Sequence, residues 1–229
     1  MIILAHRGFS AKYTENTIQA FKKAFDTTAD GIEFDVQLSK DGIPVIFHDF
    51  SLKRLTNIKA NLSELTLSEL QKIKFKNEET VPKLSTLLKI IPKNKIINLE
   101  LKGKNTAKPV YEILSDFIKN NKLKKQNIIV SSFNHKELKT FQKINTQNME
   151  IGVIISAIPI GGIKFAKRIG AKYINPSIRF LDKNFVKKAS KNDIKIIAWT
   201  VNTQKDFIKA KSLGIYGIFT DYPDKFKNL

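Results

Sequence analysis

Short apolar, β-branched runs alternate along the chain with longer stretches whose apolar residues recur at helical spacing. That alternation is the pattern of parallel strands joined by crossover helices. Strands are predicted at 2–5, 31–37, 44–48, 96–101, 128–132, 151–155, 172–175, 195–201 and 216–219. Helices are predicted between them. The segment 16–28 sets Ile18, Phe21 and Phe25 on one face, and 107–120 does the same with Val110, Ile113, Leu114 and Phe117. Further helices are expected at 64–73, 83–91, 136–144, 160–169, 183–192 and 204–213.

One strand breaks the alternation. Lys40-Asp41-Gly42 separates 31–37 from 44–48, and Asp-Gly is a strong signal for a two-residue hairpin turn. With Asp41 and Gly42 as the loop, positions summing to 83 face one another, so Asp35 is expected opposite His48. Setting this returning strand aside leaves eight strands, each followed by a helical segment. That count predicts an α/β fold, a (β/α)8 TIM barrel with a β-hairpin after the second strand. The stretch 49–82 is a small insertion over the barrel mouth, and no linker or repeat divides residues 1–229, which are expected to form one domain.

Composition narrows the chemistry. The absence of cysteine excludes disulfides, thiolate metal sites and cysteine nucleophiles. The apolar start ends at His6, too short for a signal peptide, and no run approaches a membrane span, so a soluble cytoplasmic protein is expected. The net charge of +19 attracts polyanions in general. Only Arg7, Arg54, Arg168 and Arg179 are arginine, however, and the lysines are spread over the whole chain, which argues for a solvated surface and against a specific nucleic-acid site.

In such a barrel, chemistry collects at the C-terminal ends of the strands. Those ends carry His6 and Arg7, Glu33 and Asp35, Glu100 and Lys102, and Trp199, with His48 added by the hairpin. Glu33 and Asp35 are two apart on one strand and share a face. A lone carboxylate here would pair with one of the many lysines. Three on adjacent strand ends point to a hard cation held by oxygen, Mg²⁺ or Ca²⁺, with Mn²⁺ also suitable. Two imidazoles can act as general acid and base near neutral pH. Arg7 and Lys102 suit a phosphate, Glu15 is a candidate partner for Arg7, and Thr14 or Asn16 a cap for the first helix. His135 is expected to cap a helix or lie on the surface.

With these residues in view, the chain resembles the glycerophosphodiester phosphodiesterases. The matching elements run in the family's order: His6-Arg7-Gly8, Glu15-Asn16-Thr17, Glu33-x-Asp35-Val36, Asp41-Gly42, His48-Asp49, Leu52-x-Arg54, Glu100-x-Lys102, Ser132-Phe133, Ala198-Trp199-Thr200-Val201-Asn202 and Thr220-Asp221-x-Pro223. Thr14 stands where the family usually has proline, and Leu55 interrupts the more common Arg-Thr-Thr; neither is a proposed catalytic position. The resemblance implies metal-dependent hydrolysis of small-molecule glycerophosphodiesters to sn-glycerol 3-phosphate and an alcohol. It makes His6 and His48 the acid/base pair, Glu33, Asp35 and Glu100 the metal ligands, Arg7 and Lys102 phosphate contacts, and Trp199 a pocket wall. The competing expectation is a lysophospholipid substrate at an anionic membrane, weakly attached through Phe50, Leu52, Leu62, Leu65 and Leu67.

Overall fold

The computed structural model describes residues 1–156 and 161–226. Its strands are β1 (Ile2–His6), β2 (Gly31–Leu38), β3 (Pro44–Ile46), β4 (Ile96–Leu101), β5 (Ile128–Ser132), β6 (Glu150–Ile155), β7 (Tyr173–Pro176), β8 (Lys195–Ala198) and β9 (Gly217–Thr220). All but β3 are parallel, and β1 pairs with both β2 and β9, so the sheet closes into the expected eight-stranded barrel. The helices are α1 (Ile18–Phe25), α2 (Lys53–Thr56), α3 (Leu67–Leu70), α4 (Leu84–Leu88), α5 (Ala107–Lys119), α6 (His135–Ile144), α7 (Gly162–Arg168), α8 (Lys183–Ser190) and α9 (Gln204–Ser212). Residue 160, where one predicted helix begins, lies outside the described residues.

The period of two along each strand sorts the core into two shells. Ile3 and Ala5, Ile32, Phe34 and Val36, and Leu99 and Leu101 point outward and pack under the helices. Leu4, Ile129, Tyr173, Ile197 and Phe219 point inward and fill the lower barrel. Helix α1 shows how the outer shell is covered: it buries Ala20, Phe21 and Ala24, and Phe21 meets Phe34 edge-on at 5.8 Å. Its cap is Thr17, whose hydroxyl accepts from the Ala20 amide, not Thr14 or Asn16. Asn16 instead takes a left-handed backbone, with φ of 58°, and turns toward the barrel mouth.

Two expectations need correction. The hairpin pairs Val36 with Ile46 and Gln37 with Val45, a register summing to 82 instead of 83. The Ser39 amide donates to the Ile43 carbonyl, leaving three loop residues, and Gly42 alone has positive φ, 75°. This is the three-residue loop with one left-handed position, which shifts the register by one. Asp35 therefore lies opposite Phe47, whose amide donates to the Asp35 carbonyl, and His48 enters the mouth just beyond the end of β3.

The insertion also differs. It holds two four-residue helices, α2 and α3, and a 3-10 turn at Leu62–Glu64, where one helix over 64–73 is predicted. Leu52 and Leu62 are fully buried with Val45, Phe47, Leu70, Phe75 and Val81, and Leu65 and Leu67 pack against them. These leucines form a small core of their own and offer no attachment face. Phe50 alone of the five is exposed, at 62%.

Candidate active site

Strand β1 ends at His6, and the chain then turns sharply: Arg7 has φ of 55° and Gly8 of 81°. A Cβ on Gly8 would also stand 2.7 Å from the Ala20 carbonyl carbon, so glycine is required on both counts. The turn aims the Arg7 amide at Glu33 (3.1 Å) and its guanidinium at Glu15 (2.9 Å) and Asp35 (3.3 Å). Glu15 is thus the expected partner of Arg7. Arg54 closes the same network from α2, reaching Glu15 at 2.7 Å and Asp49 at 2.6 Å.

Glu33, Asp35 and Glu100 are buried on the inner face of β2 and β4, each with a carboxylate oxygen within 4.8 Å of the others. The burial cost falls unequally. Burial, then the neighbouring Asp35 charge, drives the pKa of Glu33 well above the carboxylate range and that of Glu100 up to about 8. Burial acts the same way on Asp35, but Arg7, Lys102, His48 and the Asn16 amide outweigh it and hold that carboxyl at about 2. With all three ionised, Arg7 and Lys102 would leave the cluster one positive charge short. An all-oxygen, buried donor set of this kind fits a hard divalent cation.

The two predicted histidines face this cluster from opposite sides, in matching settings. Nδ1 of His6 is 2.6 Å from Asp221, and Nδ1 of His48 is 2.7 Å from Asp49. Both aspartates bear pKa values lowered against the cost of their burial by hydrogen bonds, from His6 to Asp221 and from Arg54 and His48 to Asp49. They are acceptors, so each Nδ1 carries the proton and each Nε2 is left for chemistry. The Nε2 surroundings then differ. That of His6 lies 3.9 Å from Glu33, whereas that of His48 lies 2.9 Å from the Lys102 ammonium. Burial lowers the His48 pKa, and Arg7 and Lys102 lower it further against the pull of Asp35.

A cavity of about 240 Å³ opens over these groups. Of the predicted site residues, His6, Arg7, Glu33, His48, Glu100, Lys102 and Trp199 line it, and Asp35 and Glu15 stand behind. Trp199 is fixed by its indole N–H, which donates to the Asn175 carbonyl at 2.8 Å, and by an edge contact with Phe133 at 5.6 Å. His135 is not part of this site; it stacks on Phe165 at 4.1 Å, and Asn134 caps its helix.

The sequence pattern of the glycerophosphoryl diester phosphodiesterase family matches residues 6–225. The chain belongs to that family. Among its relatives are glycerophosphodiester phosphodiesterases of Caldanaerobacter subterraneus, 34% identical over 100% of this chain and 97% of the relative, and of Bacillus altitudinis, 34% identical over 97% and 95%. The solved structure of an Oleispira antarctica phosphodiesterase in complex with the product sn-glycerol-3-phosphate superposes with a TM-score of 0.90 at 28% identity, covering 100% of this chain and 96% of the other. The barrel and the enzyme class expected from the sequence are both met.

Four members of the phosphodiesterase site were not singled out individually from the sequence: Asp221, Asp49, Asn16 and Arg54. Asp221 directly follows the last barrel strand, so reading the end of β9 as the other strand ends were read finds it. Asp49 sits in irregular backbone after His48 and Arg54 in the short helix α2, and only tertiary contact shows that Arg54 meets both Asp49 and Glu15.

Proposed function

We propose that the chain hydrolyses glycerophosphodiesters to sn-glycerol 3-phosphate and an alcohol, with His48 as general base, His6 as general acid and a divalent cation on Glu33, Asp35 and Glu100. One observation carries this: two imidazoles, each held at Nδ1 by an aspartate, flank a buried carboxylate cluster in one cavity. The product in the Oleispira neighbour supports the same substrate half here. Mg²⁺ or Ca²⁺ fits the donor set best, and Mn²⁺ also suits it. The bound cation supplies Lewis-acid neutralisation of phosphoryl charge.

The chain's own groups divide the rest of the work. The Arg7 guanidinium and the Lys102 ammonium offer donors to phosphoryl oxygens, and their counter-charges hold them in place before substrate arrives. His48, kept neutral by burial and cationic neighbours, accepts the proton of the attacking hydroxyl, from water or from the glycerol 2-hydroxyl, the latter forming a cyclic phosphate that water opens in a second step. His6, held at Nδ1 by Asp221 and with Nε2 turned to the cluster 3.9 Å from Glu33, donates a proton to the departing alkoxide. Asp49 and Asp221 keep each ring in the tautomer and orientation its task needs.

The test is release of sn-glycerol 3-phosphate from glycerophosphocholine by the purified protein, with each ion in turn and with chelator. Release that requires metal and vanishes in Glu33→Ala supports the proposal; metal-independent release sinks the cation's part in it. The histidine roles separate on a p-nitrophenyl ester, whose leaving group needs no proton. His6→Ala is expected to keep much of its activity there and His48→Ala to lose it.

A second reading has support from exposure alone. Phe133, Phe180 and Tyr222 follow the ends of β5, β7 and β9, and Phe50 follows His48; all four are exposed. With a net charge of +19, such an aromatic rim suits weak contact with an anionic membrane. Turnover of lysophosphatidylcholine that rises with anionic vesicles would favour it, and no vesicle effect would exclude it.

A further inference from the structure

Beside the catalytic cavity runs an open groove of about 820 Å³, and the two share Glu100, Lys102 and Phe133 as a common wall. The ends of β2, β4 and β5 form its floor through Gln37, Leu38, Leu101 and Ser132, and loops form its rim: Lys40 at the hairpin tip, Phe50 and Ser63 from the insertion, Lys104 and Asn105 after β4, and Asn134 before α6. The cavity is small and walled by barrel side chains. It suits the half that every glycerophosphodiester has in common, whereas an open groove with a loop-built rim suits the half that varies.

The groove has a charge preference. Lys40, Lys102 and Lys104 all line it, and Glu100 is the one carboxylate among the described lining residues. Glu100 is already paired with Lys102 at 3.2 Å and belongs to the buried cluster. Lys104 is exposed and has no ion-pair partner among the described residues. Lys40 also faces Glu69, which lies outside the lining. An aromatic face could attract a quaternary ammonium, but Lys102 Nζ already stands 5.7 Å from the Phe133 ring centre, so a second cation there meets like charge. Asn105, Asn134 and Ser63 add neutral polar groups suited to phosphate oxygens.

We propose that this groove is the leaving-alcohol subsite and that it selects alcohols bearing their own phosphate, through Lys40 and Lys104. The proposal rests on the catalytic reading of the neighbouring cavity. It implies that substrates with an anionic second half are preferred over those with choline or ethanolamine.

Three substrates test it on the metal-loaded enzyme: bis(glycerophospho)glycerol, whose leaving alcohol carries a phosphodiester, glycerophosphoglycerol, whose leaving alcohol is neutral, and glycerophosphocholine, whose leaving alcohol is cationic. kcat/KM is expected to fall in that order, with roughly a tenfold gap between the extremes at low salt that narrows as salt is added. The double variant Lys40→Glu, Lys104→Glu should lower kcat/KM on bis(glycerophospho)glycerol about tenfold and leave that on glycerophosphoglycerol within about twofold. Lys104→Gln, a milder change, should shift the same ratio in the same direction. Equal or faster turnover of glycerophosphocholine overturns the proposal, as does a double variant that lowers all three substrates alike. No turnover of any of the three is a different result, because it removes the catalytic reading itself.

Discussion

Within one barrel interior, a single step of two residues separates a floor from a mouth. Along the inner face Leu4 gives way to His6, Ile129 to Ser131, Tyr173 to Asn175, Ile197 to Trp199 and Phe219 to Asp221. The floor residues are aliphatic or aromatic, and none of them is charged. The mouth holds three buried carboxylates, an arginine, a lysine and two imidazoles around a cavity of about 240 Å³. Because strand backbone is the same in both layers, the comparison isolates what side chains do. The floor stabilises the barrel by burial, whereas the mouth spends some of that stability on desolvated charge kept ready for substrate.

The comparison can be broken most severely in the mouth. His48→Ala and His6→Ala are each expected to lower kcat on glycerophosphocholine by roughly 10²- to 10⁴-fold with little change in thermal midpoint. A midpoint that dropped with activity would mean that the histidines hold the fold together. The floor should behave in the opposite way. Leu4→Ala removes a fully buried side chain and should cost about 2–5 kcal/mol in denaturant melts, while the kcat of the folded fraction stays near wild type.

Smaller effects sharpen the picture. Asp221→Asn and Asp49→Asn leave the imidazoles in place but replace a charged acceptor by an amide that can also donate to Nδ1 and fix the wrong tautomer, and kcat should fall on the order of a hundredfold with KM little changed. Each should shift a different limb of the pH–rate profile; an identical shift from both would contradict separate acid and base roles. The least effect is expected at the rim, where Arg54 joins Glu15 to Asp49. Both carboxylates have lowered pKa values, against their own burial, through their bonds to Arg54 and its neighbours. Their contribution to stability is therefore present above the unfolded carboxylate values, near 4, and lost as pH falls through the lower folded ones. Arg54→Ala should lower the thermal midpoint by roughly 2–4 °C at pH 7, as expected for about 1 kcal/mol, and the gap should close below about pH 4. A gap that persists in acid would assign the loss to packing.

Much of the site was legible because barrel strands deliver their last inward residues to one place. His6 sits just past a predicted strand end, Asp35, Glu100 and Trp199 within two residues of one, and Glu33 on the same face as Asp35, so spacing alone brought them together. His48 was assigned to the site through a register that proved one residue out. It reaches the mouth because the chain leaves β3 after Ile46 and turns inward. The turn type was the point of failure: Asp-Gly is compatible with both a two- and a three-residue loop, and only the pairing of Ser39 with Ile43 decides between them. The insertion leucines were misread for a related reason. Exposure depends on what covers a residue, and Leu52 and Leu62 are covered by Phe75 and Val81, more than a dozen positions away in sequence.

By itself, then, the sequence determined the barrel, the strand ends that carry chemistry and the oxygen-rich donor set, because alternation of period two and residue type are local properties. The tertiary structure alone decided which carboxylate is held charged and which is driven toward neutrality, which imidazole sits among cations and which among anions, and which leucines are covered. Those outcomes depend on distances of a few ångströms between residues as far apart as His6 and Asp221, and electrostatic energy in a buried site is set by such distances and by the solvent they exclude.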